Sequence, residues 1–449
     1  MHVLQQLFFI IALGLAGNLL LRRVILIRDT IRLGRKEDLT DQPGKRFGTM
    51  LRIAFAQKKM FDRPLAGVLH FLVYAGFILI NVEVLEIVLD GLFGTHRMFA
   101  PYLGGFYTFL ISFYEILAVG VILACVIFLI RRNKHVDRLQ PEIHRELKGW
   151  PALDAKLILR FEIILMLAVL VMNAADTALQ SVGVENYYQT GSFLVSAPLA
   201  GSMENWDPSL LVLVERAAWW IHILGILAFA VYITHSKHLH ILLAFPNTYF
   251  TRFKPRGKME NMPEITKEVK LMLGLETDSS GAAPAEIGRF GAKDVTDLSW
   301  KNLLDAYSCT ECGRCTSVCP ANITGKLLSP RKIMMDTRDR LEDLAENIRI
   351  NGKEWKDDGK NLLGDYILDE EILACTTCNA CVEACPILID PLDIILQLRR
   401  YKIMDEAKAP ASWNMMFQNM ETNQAPWKFS PSDRFNWAEG LNKESDDQN

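Results

Sequence analysis

Several common signatures are absent from this sequence. It contains no Gly-x-Gly-x-x-Gly fingerprint, which argues against a dinucleotide-binding domain because that fold binds pyrophosphate on a glycine-rich turn. Residues 295–405 show no alternation of polar and apolar residues, so this region is predicted to be helical. The net charge is −3 and no basic run lies outside the flanks of the apolar segments, so no nucleic acid partner is expected.

Five apolar segments are long enough to cross a bilayer, which requires about 20 residues. They cover residues 3–27, 65–90, 105–130, 157–180 and 210–234. The connections 28–63 and 131–156 carry ten and seven Lys or Arg residues, whereas 91–104 carries one and 181–209 none. The positive-inside rule therefore predicts a multi-pass protein of the inner (cytoplasmic) membrane, with the N-terminus outside and everything after the fifth helix in the cytoplasm.

Eight of the nine cysteines form two copies of the pattern C-x2-C-x2-C-x3-C-P. Three cysteines at this spacing can bind one cubane while the fourth reaches a second cluster, as in two-cluster ferredoxins. Two [4Fe–4S] clusters are therefore predicted. The expected ligand sets are Cys309, Cys312, Cys315 with Cys385, and Cys375, Cys378, Cys381 with Cys319. Zinc and disulfides are the alternatives for paired cysteines, but the complete duplicate motif, each copy followed by proline, favours iron–sulfur.

These patterns divide the chain into four parts. They are a five-helix transmembrane cytochrome b-like domain (1–245), a juxtamembrane segment and linker (246–294), a ferredoxin-type domain (295–405) and a C-terminal docking tail (406–449). A helix-favouring stretch near residues 330–350 lies between the cysteine groups. The expected fold class is all-α, a five-helix transmembrane bundle followed by a helical two-cluster ferredoxin domain. The tail keeps Trp413, Trp427 and Trp437, which suggests that it packs on a partner.

Three histidines are candidate ligands. His70 lies near the cytoplasmic end of the second apolar segment, His222 near the middle of the fifth, and His240 just past its end. A polar residue within a membrane is costly and is a functional candidate by default. Because b-type haem takes two axial histidines from facing helices, His70 and His240 can face each other across one haem. His235 and His238 are interpreted as ordinary interfacial residues.

Other polar residues also fall within the apolar segments. They are Glu83, Glu86, Glu115, Glu162, Asp176 and Arg216. Any of them can serve quinone protonation, and interhelical hydrogen bonds explain them equally well. They appear scattered in the sequence, without the paired charges or broken helices expected of an ion-translocating protein. Cys125 is expected to pack as an apolar side chain.

The stretch from Trp219-Trp-Ile-His222 to His238-Leu-His240-Ile-Leu-Leu-Ala-Phe-Pro246-Asn-Thr-Tyr-Phe-Thr-Arg252 resembles the end of the respiratory nitrate reductase gamma subunit family. The resemblance implies two haem ligands eighteen residues apart on the fifth helix, which His222 and His240 match. His70 matches the cytoplasmic histidine of the family's second helix, but Ile80 occupies the position of the other and cannot ligate. We therefore expect one haem b, held by His70 and His240, and treat His222 as an alternative ligand or a quinone-site residue.

The chain also resembles the membrane iron–sulfur proteins related to heterodisulfide reductase. The resemblance lies in Cys312-Gly-Arg-Cys315, in Thr324-Gly-Lys-Leu-Leu-Ser-Pro330 and in the segment from Trp427 to Trp437. Many such proteins continue into a cysteine-rich domain with CCG signatures that carries the catalytic cluster, and this sequence contains no CCG. The resemblance therefore implies a cytoplasmic CCG-type iron–sulfur or flavin partner and no catalytic residue in this chain.

Together these patterns predict an electron-transfer subunit of a membrane quinone oxidoreductase. Electrons would pass between the cytoplasmic partner, two [4Fe–4S] clusters, haem b and menaquinone, which diffuses in the membrane lipid as the substrate. A haem-free membrane anchor for a ferredoxin-type carrier is the alternative, and a reduced-minus-oxidised spectrum separates the two.

Overall fold

The computed structural model describes residues 3–136, 145–259, 261–275, 289–352 and 356–438. Within these residues the chain is helical and contains no β-strand, apart from two isolated bridges. The predicted all-α class is therefore confirmed. Residues 276–288 of the predicted juxtamembrane segment and linker lie outside the described residues, as do residues 439–449 of the predicted tail.

Nine helices precede residue 250 in the described part of the chain. They are α1 (Val3–Ile31), α2 (Pro43–Met50), α3 (Pro64–Phe93), α4 (Ala100–Leu103), α5 (Gly105–Val136), α6 (Trp150–Val182), α7 (Ser196–Gly201), α8 (Pro208–Ile233) and α9 (His240–Tyr249). Of these, α1, α3, α5, α6 and α8 are long and apolar enough to cross a membrane. These five helices correspond to the five predicted segments, and the chain is a multi-pass membrane protein.

Local sequence explains where the long helices begin and end. Pro64 and Pro208 stand at the first turns of α3 and α8, where a missing N–H costs nothing. Asp207 caps α8 by accepting a hydrogen bond from the Ser209 amide. Gly94 ends α3 in the left-handed conformation, with φ of 72°. α6 starts at Trp150, earlier than predicted, because Pro151 favours the first turn of a helix.

The membrane core lies among α3, α5, α6 and α8, with α6 packed against both α5 and α8. Cys125 is fully buried in this core, as expected of an apolar packing residue. We call the end of the bundle that contains the start of α3 and the end of α8 the near end. We call the opposite end, which contains the connections 94–104 and 183–207, the far end.

Eight further helices follow in the part of the chain that the structure describes. They are α10 (Pro263–Met272), α11 (Trp300–Ser308), α12 (Pro320–Ile323), α13 (Pro330–Asn351), α14 (Asp369–Leu373), α15 (Ala380–Ala384), α16 (Pro391–Arg400) and α17 (Ala411–Asn423). α13 matches the helix predicted near residues 330–350. It begins at the Ser329 cap, whose hydroxyl accepts from the Lys332 amide.

The chain forms two compact units. The first comprises Met1–Glu260 and Asp294–Ile395, so the membrane helices and both cysteine groups belong to one unit. The second comprises Asn261–Lys293 and Leu396–Asn449. The four-part division made from sequence stays a prediction.

The second unit has a little-buried C-terminal part. Within it the Ala292 amide donates to the Gln397 carbonyl at 3.0 Å. No residue of α17 is buried, and the large apolar side chains that follow it are exposed. They are Trp427, Phe429, Phe435 and Trp437.

Candidate iron–sulfur and haem sites

The first cysteine loop (residues 309–319) supplies half of the residues that line one pocket. Cys309, Cys312 and Cys315 line it together with Cys385 from the second cysteine loop (residues 375–385). The structure thus brings together the four thiols that the sequence assigned to one cluster.

The other four cysteines belong to the second cysteine loop and the end of the first. Cys381 lies within electrostatic reach of Cys375 and Cys319. Cys319 and Cys381 are buried, whereas Cys378 is exposed at the surface. Cys319, Cys375 and Cys381 of the second predicted ligand set are therefore neighbours. The fourth member, Cys378, lies three residues from both Cys375 and Cys381 along the chain.

The two cysteine loops repeat one backbone conformation. Positive φ angles occur at Glu311 and Thr377, which each stand two residues after the first cysteine of their loop. They occur again at Gly313 and Asn379, four residues after that cysteine. Left-handed residues at the same offsets turn both chains in the same way. This shared turn lets each loop direct several thiols to one side.

The buried thiols need a metal to ionise. Burial raises the pKa of Cys309 to about 11 and that of Cys385 to about 12, so without a metal these thiols stay protonated at neutral pH. Coordination deprotonates a thiol outright. Among the described residues, no three His, Cys, Asp or Glu side chains converge as ligands of a single ion. The ground for expecting a multi-iron cluster rather than one zinc ion remains the complete duplicated cysteine motif.

Backbone amides donate to cysteine sulfur in the second cysteine loop and just after it. The Thr377 amide lies 3.4 Å from Cys375 Sγ, and the Ile389 amide lies 3.3 Å from Cys385 Sγ. Hydrogen bonds to the sulfurs of a cluster are among the factors that set its reduction potential.

His70 and His240 face each other at the near end of the bundle. Their ring centroids are 6.3 Å apart. A metal–imidazole bond of about 2 Å, with a ring centroid about 1 Å beyond the nitrogen, separates two axial rings by about 6 Å. The spacing of the pair therefore fits one iron between the rings.

Hydrogen bonds fix the orientation of both rings. His70 Nδ1 lies 3.0 Å from Gln57 Oε1, and His240 Nδ1 lies 3.1 Å from the Lys237 carbonyl. A metal-binding histidine usually donates its second ring nitrogen in this way, which orients the ring. Nε2 of each ring is then the nitrogen available to iron. Burial lowers the pKa of His240, which favours the neutral form that binds metals.

The remaining histidines differ in their surroundings. His238 lies beside the pair, 5.3 Å from His240 between ring centroids, and burial lowers its pKa to about 3. His235 is exposed. His222 is buried in the bundle, where its Nδ1 lies 2.9 Å from the Leu165 carbonyl and its Nε2 has no hydrogen-bond partner among the described residues. Ile80 packs in the apolar core.

The first cysteine loop contacts the segment that carries His240. Glu311 is buried between Lys237 and Arg338, and Arg338 Nη2 lies 2.6 Å from its carboxylate. Burial alone would raise the pKa of Glu311, but the charges of Arg338 and Lys237 outweigh burial and lower it. The carboxylate is therefore ionised and holds the loop to the turn that orients His240.

Two further contacts join the cysteine loops to the helices that carry the histidines. Arg314 donates to the Lys59 and Met60 carbonyls at 2.7 and 3.0 Å, just before α3 begins. At the other end of α9 from His240, Asn247 donates to the Ile387 carbonyl at 2.9 Å, and Ile387 lines the first pocket. None of these long-range contacts has a sequence motif that could have predicted it.

The polar residues of the membrane segments are not scattered in space. A group that we name the far-end network gathers around the Arg97 guanidinium at the far end of the bundle. Its members are Glu83, Glu86, Asp90, Arg97, Tyr107, Glu115, Asn173 and Asp176. Sequence reasoning missed Arg97, although a lone basic residue in an uncharged connection was the signal. Outside this network, Glu162 is buried and Arg216 pairs with Glu215.

Comparison with known proteins supports the iron–sulfur assignment. Residues 308–389 match the family model of the 4Fe-4S dicluster domain. The chain is 29% identical over 437 residues to the "Probable iron-sulfur-binding oxidoreductase FadF" of Bacillus subtilis (strain 168), covering 91% of this chain and 57% of that protein. It is 26% identical over 428 residues to the "EtfAB:quinone oxidoreductase" of Syntrophomonas wolfei, covering 89% of this chain and 54% of that protein.

A shorter similarity covers part of the chain. Over 164 residues it is 32% identical to the "Probable membrane-anchored ferredoxin" of Chromohalobacter salexigens, covering 34% of this chain and 24% of that protein. No solved structure matches the chain. The chain spans little more than half the length of the first two relatives. With its five apolar helices and its dicluster domain, the chain is an iron–sulfur membrane protein of electron transfer.

Proposed function

We propose that this chain is an electron-transfer subunit of a membrane quinone oxidoreductase. Electrons pass between a cytoplasmic partner, two [4Fe–4S] clusters, one haem b and menaquinone. The observation that carries this proposal is the contact between the first cysteine loop and the near-end segments that present His70 and His240. A chain that only tethered a ferredoxin would not need two histidines at the spacing of axial ligands beside that loop.

The contacts suggest an order for the centres. The cluster held by Cys309, Cys312, Cys315 and Cys385 is adjacent to the haem, because Glu311 and Ile387 link its pocket to the turn and helix that carry His240. The cluster held by Cys375, Cys378, Cys381 and Cys319 is then the one that exchanges electrons with the partner. Crossed ligation keeps the two clusters close enough to work in series.

The charge of the connections supports a cytoplasmic position for the near end, the cysteine loops and the partner, and an outside position for the N-terminus, in the inner membrane. A CCG-type iron–sulfur or flavin protein is the partner that the resemblance to heterodisulfide reductase suggests. The exposed tryptophans Trp427 and Trp437 are the proposed contact for it.

Quinone exchange tests the proposal directly. The purified chain is mixed with a menaquinol analogue under anaerobic conditions, and the haem b band and cluster signals are followed. We expect the quinol to reduce haem b in the wild-type protein, and oxidised analogue to reoxidise it. No exchange in either direction would reject the quinone role.

Variants of the histidines test the haem assignment within the same experiment. His70→Ala and His240→Ala should each abolish the b-type absorption band while the iron–sulfur signals persist. His235→Ala is the matched control, because His235 belongs to the same turn but is exposed, and its band should be unchanged. A wild-type protein without any b-type band would instead favour the haem-free anchor.

A further inference from the structure

The far-end network draws carboxyl groups from three membrane helices to one guanidinium. Arg97 donates from Nε to Asp176 at 3.0 Å, from Nη2 to Asn173 at 2.6 Å and from Nη1 to Tyr107 at 3.1 Å. The Tyr107 hydroxyl donates in turn to Glu86 at 2.8 Å. A continuous set of hydrogen bonds thus connects α3, α5 and α6.

Four of the five carboxyl groups in the network are well supplied with donors. Asp90 accepts from the Arg97 and Met98 amides, and Glu115 accepts from the Val195 and Ser196 amides. Asp176 is paired with Arg97, and Glu86 accepts from the Phe99 amide as well as from Tyr107. Hydrogen bonds therefore fix these four carboxyl groups in position, as expected of residues with a structural role.

Glu83 differs from them. It is 3% exposed, and its Oε1 accepts no hydrogen bond from any described residue. The closest cation, Arg97, lies 3.7 Å away and already serves other acceptors. Glu83 stands ten residues before the end of α3, so it lies about 15 Å deeper along the helix than the far end. Glu115, ten residues after the start of α5, lies at a similar depth, so these two are the innermost acids of the network.

The charge of the network also requires protons. Five buried carboxyl groups surround one guanidinium, with His96 contacting Asp176 at the rim at 2.9 Å. An uncompensated charge within a membrane costs several kcal/mol, by order of magnitude. The buried acid with the fewest hydrogen-bond donors is therefore the one that most readily carries a proton, and among the five that acid is Glu83.

We propose that Glu83 is the proton-exchange group for the quinone and that the far-end network carries its protons to and from the far surface. This inference rests on the proposed quinone function and deepens it by naming the group that handles the protons. When a quinol is oxidised, its two O–H bonds break, two electrons leave one at a time for haem b, and two protons leave through Glu83. Quinone reduction runs the same steps in reverse.

Two variants of Glu83 separate proton exchange from a purely structural role of the network. Glu83→Gln keeps the size and hydrogen-bonding shape of the side chain but cannot release a proton. Glu83→Asp keeps the acid but shortens the side chain. Proton exchange predicts that quinol oxidation is faster in Glu83→Asp than in Glu83→Gln, whereas a structural role predicts that Glu83→Gln remains closest to wild type.

The experiment measures the oxidation rate of a menaquinol analogue by the purified full-length chain. Glu83→Gln should lose about 100-fold in rate, within the range that general acid–base groups contribute. Its haem b band after dithionite reduction should remain at the wild-type level, which shows that the variant is folded. Glu185→Gln, at an exposed acid of the far-end connections, is the matched control and should keep the full rate.

An infrared difference spectrum between the oxidised and reduced protein gives a second readout. A carbonyl band of a protonated carboxyl group should change in wild type and Glu185→Gln and vanish in Glu83→Gln. If Glu83→Gln oxidised the quinol at the wild-type rate and kept the carbonyl band, this inference would be overturned while the proposed function would still stand. A wild-type protein that never exchanges electrons with quinol would reject the proposed function itself.

Discussion

At the scale of single residues, the pattern of thiols carries the most information. The eight candidate ligand cysteines could be identified because their spacing is local and repeated, so the shape of each loop depends on a few adjacent peptide units. Arg97 and Glu311 were not identifiable in this way. Their roles come from contacts with residues tens to hundreds of positions away, which one sequence does not encode as a motif.

Gly313 offers a test of the first cysteine loop. Its φ is 74°, and a methyl group at this position would lie 2.5 Å from Arg331 Nη1. Gly313→Ala should therefore combine a backbone strain of about 1–2 kcal/mol with displacement of Arg331 from its pair with Glu146. We expect a reduced content of one cluster, measured as the intensity of its electron paramagnetic resonance signal per protein.

Gly325→Ala is the control for this variant. Gly325 also has a positive φ, of 84°, but its neighbourhood is open. It reproduces the backbone strain without the contact, so its cluster content should stay above that of Gly313→Ala. Equal cluster content in the two variants would show that the close approach of Arg331 does not matter.

At the scale of elements, the helices were largely predictable and their contacts were not. The five membrane helices follow from apolar length, and α13 follows from a Ser-Pro start and a helix-favouring sequence. Prediction of the facing histidines depended partly on a family resemblance, because periodicity alone does not say which helices are neighbours. The intramembrane acids singled out from the sequence looked scattered for the same reason, although all of them except Glu162 belong to the far-end network around Arg97.

The contact between the first cysteine loop and the segment before α9 should be sensitive to charge. Glu311→Gln keeps the shape of the side chain but removes the anion that Lys237 and Arg338 share, which leaves each cation only a carboxylate nearly 4 Å away. Removing one partner of a buried pair costs about 3–5 kcal/mol, so the midpoint of thermal loss of the haem b band should fall. Glu346→Gln, which breaks an exposed pair with Arg349 on α13, should melt like wild type. Identical melting of all three proteins would contradict the assigned role of Glu311.

The pairing of the two cysteine loops makes a separate prediction. Cys385→Ser should remove the same cluster signal as Cys309→Ser, because both thiols line one pocket. Cys319→Ser should instead match Cys375→Ser. If Cys385→Ser affects the same signal as Cys375→Ser, ligation is confined to each loop and the crossed sets are wrong.

At the scale of the whole molecule, the cysteine loops and the membrane helices form one unit. Treating them as separate modules from sequence hid the contacts at Lys59, Lys237 and Asn247 that join them. The same contacts hold the cysteine loops against the segments that carry His70 and His240, which suits the proposed electron transfer between the clusters and a haem.

The most direct test counts the cofactors in the purified chain and records its reduced-minus-oxidised spectrum. Two cubanes and one haem require about eight non-haem irons, about eight acid-labile sulfides and about one protohaem per chain, with a b-type band that His70→Ala abolishes. Finding the iron and sulfide without any protohaem would contradict the central claim that electrons from the clusters enter a haem between His70 and His240.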